Sequence, residues 1–357
     1  MSHPVFPVRL AILLAASAFS FLTCSKDEPS GPQGIPTPFK EPDSSSHEFL
    51  WERLTFGDDH SAIYDIAVVS DSEAWFVGEI TTRDSSNKLV NHNSLHYRNG
   101  EWKIVDILTP YYQGVTPYPA RINAAFAFSS SDVWFYISGL VQRWNGERFL
   151  GDTRINPCLN GPVLRMWGKN SSDIWFVGRH GTLVHYDGKE CRKLDAGTDF
   201  DINDVWGVGD TALCVASNWL WDFSESKILR LVNGKAEPAY MEEIPRGMTS
   251  IWFLNGMRQL SINGSFYAEW SGSRWERKPY PFLKFVGTGI RGNSPVDFFI
   301  IDQTTGVAHF NGNSWFPHFI GNVGDYHLKA LACAPHHVWV AGDDKIGQMF
   351  IEHGMRK

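Results

Sequence analysis

The stretch SSDIWFVGRHGTLVHYDGKE, residues 171–190, gathers Asp, His, Arg and Tyr side chains densely enough to suggest part of a catalytic site. Yet it recurs along the chain. SSDIWFVG (171–178) returns as SSDVWFYI (130–137), DSEAWFVG (71–78) and PHHVWVAG (335–342). HYDGKE (185–190) returns as HYRNGEW, QRWNGERF, AEWSGSRW and AHFNGNSW, and a third element precedes both, as in LRMWGKN (164–170) and INDVWGVGD (202–210). Residue types that return in register belong to a repeated framework.

The turn glycines count the repeats. Gly100, Gly146, Gly188, Gly234, Gly272, Gly312 and Gly354 lie 38 to 46 residues apart, and six follow Asn99, Asn145, Asp187, Asn233, Ser271 and Asn311. The seventh follows His353. Asn-Gly or Asp-Gly between apolar runs signals a two-residue hairpin, because a type I′ turn needs positive φ at both positions. Each repeat reads as four short strands, for example VLRMWG, DIWFV, TLVHY and ECRKL, with no sustained helical period. Units of this size stacked radially give an all-β, seven-bladed β-propeller of four-stranded blades. After Gly354 only three residues remain, whereas FLWERLTFG (49–57) precedes the first inner strand and its WERL resembles the outer-strand WERK at 275–278. The expectation is that this N-terminal strand completes the last blade, and that residues 48–357 form one propeller domain.

The S-x-D-x-W-x-V-G and H-Y-D-G elements resemble the repeats of propeller-bearing bacterial lipoproteins, distantly similar to kelch and WD-repeat propellers; some such proteins carry a glucosyltransferase name. The resemblance implies architecture and no defined reaction. The start of the chain agrees with it. Arg9 closes a basic n-region, and LAILLAASAFSFL (10–22) is an apolar run of signal-peptide length, too short to remain as a spanning helix. FLTC then resembles a lipobox whose cysteine, Cys24, is lipidated, although Phe21 stands where Leu is usual and Thr23 where a smaller residue is common. Ordinary cleavage after ASA (16–18) is the alternative. Residues 1–23 are thus expected to be a lipoprotein signal peptide. Residues 24–47, rich in Pro and Ser, read as a flexible tether. The anchored protein is expected at the outer membrane and exposed at the cell surface, the alternatives being its periplasmic side or secretion; the lipid is the only membrane contact foreseen.

With a formal charge of −7 and no basic cluster, the 357-residue chain lacks the footprint of a nucleic-acid binder. Cys158, Cys191, Cys214 and Cys333 show no metal-type spacing; buried thiols are the expected state, with a Cys158–Cys191 bridge as the alternative. No cofactor, metal site or catalytic residue emerges. Asp173 departs from the Asp-box pattern and reads as a turn-capping carboxylate. DFD (199–201) matches a glycosyltransferase DxD formally, but it sits in an interblade loop without a βαβ unit around it. His96, His185 and His309 occupy one repeat position in separate blades, too far apart to share a metal.

Propellers usually bind ligands at the face made by the loops joining second to third strands. That places Glu79, Arg179, His180, Asn218, Trp219, Asp302, Asp343 and Asp344 on a candidate ligand face, together with Tyr111 and Tyr112 of the long insertion TPYYQGVTPYPA (109–120). The function expected is non-enzymatic binding of a protein or carbohydrate by a monomer. The alternatives are a glycan-active enzyme on the same face, or a structural part of an envelope assembly. A deep central pocket with a carboxylate pair and an arginine cluster favours the enzyme; a shallow aromatic rim favours binding.

Overall fold

The computed structural model describes residues 44–58, 60–111, 113–159, 161–218, 225–239, 246–254, 260–263, 266–279, 287–302, 306–318, 326–344 and 346–357. Among the described residues, 28 strands and one short 3-10 turn, Asn156–Cys158, build seven four-stranded antiparallel sheets. Blade one shows the plan: Ala62–Ser70 innermost, then Glu73–Arg83, Leu89–Arg98 and Glu101–Ile104 outermost. The innermost strand of each sheet packs against that of the next, and the last, Tyr326–Cys333, packs back on Ala62–Ser70. This radial stack is a β-propeller. Blade seven contains Tyr326–Cys333, His337–Asp344 and Met349–Arg356, and its outer strand is Phe49–Thr55, paired from Phe49↔Arg356 to Thr55↔Phe350.

The second strands are apolar on both faces because each is covered by two neighbouring blades. In blade one, Ala74 and Phe76 pack with Trp339 and Ala341 of blade seven, while Trp75 and Val77 pack with Val133 and Phe135 of blade two. Trp75, Trp134, Trp175 and Trp339 are fully buried at equivalent positions. Each such side chain contributes about 1.5–3 kcal/mol through removal from water. Gly178 ends its strand directly beneath a neighbouring carbonyl: an added Cβ would lie 2.0 Å from Pro162 O. Gly78 holds the same place under Ala62 O.

The hairpin chemistry differs in part from expectation. Asn99-Gly100 and Asn233-Gly234 do take positive φ at both positions. Asn145, Asp187 and Asn311 do not; their side-chain oxygens instead accept two backbone N–H groups of the turn, as Asp187 does from Lys189 (3.0 Å) and Glu190 (2.9 Å). Gly354 is not a turn residue. It lies within Met349–Arg356 opposite Trp51, since the strand pairing there comes from the other end of the chain.

Asp173 is also corrected. Asn170 caps the turn by accepting from Ser172 N at 2.8 Å, while Asp173 accepts from His185 Nε2 at 2.8 Å. His185 in turn lies against Trp175, ring centroids 4.3 Å apart. The same carboxylate–base–aromatic trio recurs as Glu73–His96–Trp75, Asp297–His309–Phe299 and, with arginine, Asp132–Arg143–Trp134. The recurring histidines therefore serve to tie second strands to third strands. Cys158 and Cys191 are disulfide-bonded, Cα–Cα 6.1 Å, which replaces the expected buried thiols. The bridge fastens the Asn156–Cys158 turn to the outer strand of blade three, Cys191–Lys193. Among the described residues, Cys214, which is buried, and Cys333 form no disulfide.

Candidate functional site

Near the start of the innermost strands the pairing slips by one residue, leaving Tyr64, Asn123, Leu164, Asn203, Thr288 and Lys329 as extra residues in six blades. A bulge breaks the alternation of the strand and re-aims the side chain it inserts. Here it turns one residue per blade toward the channel. Together with Thr249 and Arg165 these residues line a mouth of about 260 Å³. Lys329 Nζ lies 5.6 Å from the centre of the Tyr64 ring and pairs with Asp343. The Thr288 hydroxyl is buried and has no hydrogen-bond partner among the described residues.

The residue after each bulge forms a second layer. In blades one, three and four it is Asp65, Arg165 and Asp204; in blades two, six and seven it is Ala124, Gly289 and Ala330, whose small size leaves room for the charges. Arg165 reaches across the channel, donating to Tyr64 O (3.2 Å) and Lys329 O (3.5 Å) besides Leu164 O (2.9 Å). Asp204 accepts from Arg291 Nη2 (2.7 Å) and Nη1 (2.9 Å), Ser250 Oγ (2.5 Å), Ile251 N (3.1 Å) and Val205 N (3.0 Å). Burial alone would raise its pKa, but Arg291, then Arg165 and Ser250, outweigh burial and hold it below the usual carboxylate value. Asp65 is different. Its partners are the backbone N–H groups of Ile66 (3.0 Å) and Ala125 (3.1 Å), and burial raises its pKa against the weaker pull of Arg165. Beneath this layer the channel holds a cavity of about 250 Å³ with Phe126, Met166, Trp206 and Leu331 in its wall.

From the mouth an open groove of about 710 Å³ runs outward over blades one and two, lined by Glu79, His92, Tyr118, Arg121, Asn123 and Ser138 among others. Asn123 belongs to both groove and mouth. The Arg121 guanidinium lies 5.5 Å from the Tyr64 ring centre and 4.0 Å from the Glu79 carboxylate. His92 is held by Asp106 (2.8 Å) and Thr82 (3.0 Å).

Of the residues expected at the ligand face, Glu79 lines this groove and Asp343 reaches the mouth through Lys329. Tyr111 is 70% exposed but sits in a separate depression with Pro110, Pro117 and Phe149. Arg179 and His180 are exposed on the blade-three loop, where His180 has positive φ and donates its backbone N–H to Asp201 Oδ1 at 3.0 Å. Asp201 thus has a loop-fastening role, and Asp199 is exposed. Asn218 is half-buried. Two of the aspartates are engaged within the fold. Asp302 is 1% exposed, at the end of Asp297–Asp302. Asp344 fastens its own turn, its Oδ1 accepting from Ile346 N (3.0 Å) and Gln348 N (2.8 Å), as Asp84 Oδ1 does from Ser86 N and Lys88 N in blade one. Cys24, Tyr112 and Trp219 lie outside the described residues.

The channel residues Tyr64, Asp65, Arg165, Asp204, Arg291 and Lys329 were missed. Their signal was present: AIYDIAVV, VLRMWG, INDVWG and TGIRG each carry a charge inside an otherwise apolar inner strand. Among the described residues, no three His, Cys, Asp or Glu side chains converge to hold a metal ion.

No family model matches the chain, and no curated protein matches it. Solved structures do. The chain is similar to YCF48 bound to D1 peptide, at 14% identity over 86% of this chain and 97% of that one, TM-score 0.63. It is similar to virginiamycin B lyase from Staphylococcus aureus, at 14% identity over 85% and 99%, TM-score 0.59. It is also similar to the WD40 β-propeller domain of Doa1, at 10% identity over 85% and 96%, TM-score 0.56. The likeness is one of fold.

Proposed function

We propose that this protein is a binding module that seats an extended, acidic segment of a partner protein along the channel mouth and the groove of blades one and two. The observation carrying this reading is the continuity of the two features through Asn123 and the Arg121–Tyr64–Lys329 stack. An elongated ligand finds amides and hydroxyls there, an exposed Tyr118, and three cations, Arg121, Arg165 and Lys329. The Thr288 hydroxyl, without a partner among the described residues, adds a polar group for a ligand to satisfy. Support by analogy comes from YCF48, a propeller-like neighbour solved with a peptide. An array of acidic, neutral and basic peptides beside an array of glycans tests the reading. Acidic peptides should bind in a salt-dependent manner and lose at least about tenfold in affinity with Arg121→Ala or Lys329→Ala. Binding confined to glycans, or indifferent to both substitutions, overturns it.

A second reading, a glycan-active enzyme, has one observation in its favour. The central channel does contain two carboxylates and two arginines. Asp204 is saturated by Arg291, Ser250 and backbone N–H groups, so Asp65, with its raised pKa, is the residue able to give up a proton.

Membrane attachment through a lipid on Cys24, at the outer membrane and facing outward, belongs to the same proposal. The chain joins the propeller at Ser45, which exchanges backbone and side-chain hydrogen bonds with Asn311 on the outer hairpin of blade six.

A further inference from the structure

The N-terminal segment is held by two chains of hydrogen bonds, each running carboxylate–histidine–histidine. In the first, Asp297 Oδ1 accepts from His309 Nε2 at 2.8 Å, and His309 Nδ1 meets His47 Nδ1 at 2.9 Å. His47 Nε2 continues to Ser314 Oγ at 3.0 Å. In the second, Glu52 Oε1 accepts from His353 Nδ1 at 2.9 Å, and His353 Nε2 meets His337 Nδ1 at 2.7 Å. Each chain takes one member from the N-terminal segment, His47 or Glu52, and the rest from blades six and seven. Blade seven departs from the framework at this point. Where the other trios place an acid, it has His337, and the carboxylate arrives on the closing strand as Glu52.

A nitrogen-to-nitrogen hydrogen bond between two imidazoles needs one donor and one lone pair. It survives with neither ring charged or with one, and breaks when both rings are charged, since neither then has a lone pair to accept. We propose that these two histidine pairs make the closure of the ring an acid-sensitive latch, which frees Phe49–Thr55 from Met349–Arg356 when the pairs become doubly protonated.

The surroundings favour that response. His309 and His353 are almost fully buried, at 0% and 1% exposure. Around the first pair stand Asp297, Arg356, which grips Asp297 through two bonds of 2.6 Å, and His318. Around the second stand Glu52, Asp71 bound to His336, and Tyr97 from blade one. Burial lowers the pKa of His309 and His353, against the pull of Asp297 and Glu52. Burial and then the neighbouring ring lower His47 and His337. His318 is pushed down to about 3 by burial, then by His309 and His47. A histidine lowered in the folded state contributes stability that is fully present above its unfolded pKa, about 6.5, and is lost as pH falls toward the folded value. The latch is therefore closed at neutral pH and weakens in mild acid.

Hydrogen exchange of the full chain at about pH 7.5 and about pH 5.5, corrected for intrinsic rates, tests this on either side of the ordinary histidine pKa. Protection of Phe49–Thr55 and Met349–Arg356 should fall at least about tenfold at the lower pH, with Asp173–Gly178 of blade three unchanged. His337→Asp restores the acid found in other blades and removes one pair, so the loss should be smaller or move to lower pH. Uniform loss in all blades, no loss, or loss identical in His337→Asp and the unaltered protein overturns the proposal.

Discussion

Replacing Asp204 by Asn removes one charge from a carboxylate that joins three blades while keeping the shape of the side chain. Asp204 is 2% exposed and receives hydrogen bonds from blade five through Ser250 and Ile251 and from blade six through Arg291. With Asn in place, the Arg291 guanidinium, itself only 15% exposed, loses its counter-charge at 2.7 Å. Breaking one side of a buried, hydrogen-bonded pair costs about 3–5 kcal/mol, consistent with the ~4 kcal/mol that two charges at about 4 Å feel at an effective dielectric of ~20. For a chain of this size that corresponds to a fall in melting temperature of roughly 6–10 °C. Arg291→Met should cost a similar amount, because it strands the carboxylate instead. The double variant should cost clearly less than the sum, with a coupling of at least about 2 kcal/mol. Thermal unfolding followed by circular dichroism, with urea unfolding in parallel, measures all four proteins. An Asp204→Asn cost under about 1 kcal/mol, or strict additivity in the double variant, would refute the view that this pair clamps the ring.

Two further outcomes concern the chain outside the channel. Cys158→Ser with Cys191→Ser opens a loop of sequence separation 33, and chain entropy sets the loss at about 3–4 kcal/mol; reductant should lower the melting temperature of the unaltered protein and leave the double variant unmoved. Cys24→Ala should shift the protein from the membrane to the soluble fraction on cell fractionation, and an unchanged distribution counts against the lipid anchor.

The repeat, the four-stranded unit and the partnership of FLWERLTFG with the last blade were legible in the sequence, because alternation, turn chemistry and register are properties of near neighbours. Gly354 misled for the complementary reason: its surroundings in sequence match a turn, but its pairing partner, Trp51, lies 303 positions away. Asp302 and Asp344 were placed on the ligand face by loop position alone. Their burial and internal bonding depend on packing and turn closure that a loop's place in the repeat does not convey. The disulfide likewise depended on two outer elements meeting.

What the sequence by itself determined is thus the all-β repeat and its closure by an N-terminal strand. The channel was decided by tertiary structure. Arg165 meets Tyr64 O and Lys329 O across sequence separations of 101 and 164 residues, and Asp204 meets Arg291 across 87. Those pairings exist because a one-residue bulge in the inner strands turns side chains inward, and because closing the ring brings distant blades within hydrogen-bonding reach. A single charged residue in an apolar strand can be read locally. Which opposite charge it finds depends on the geometry of the closed ring.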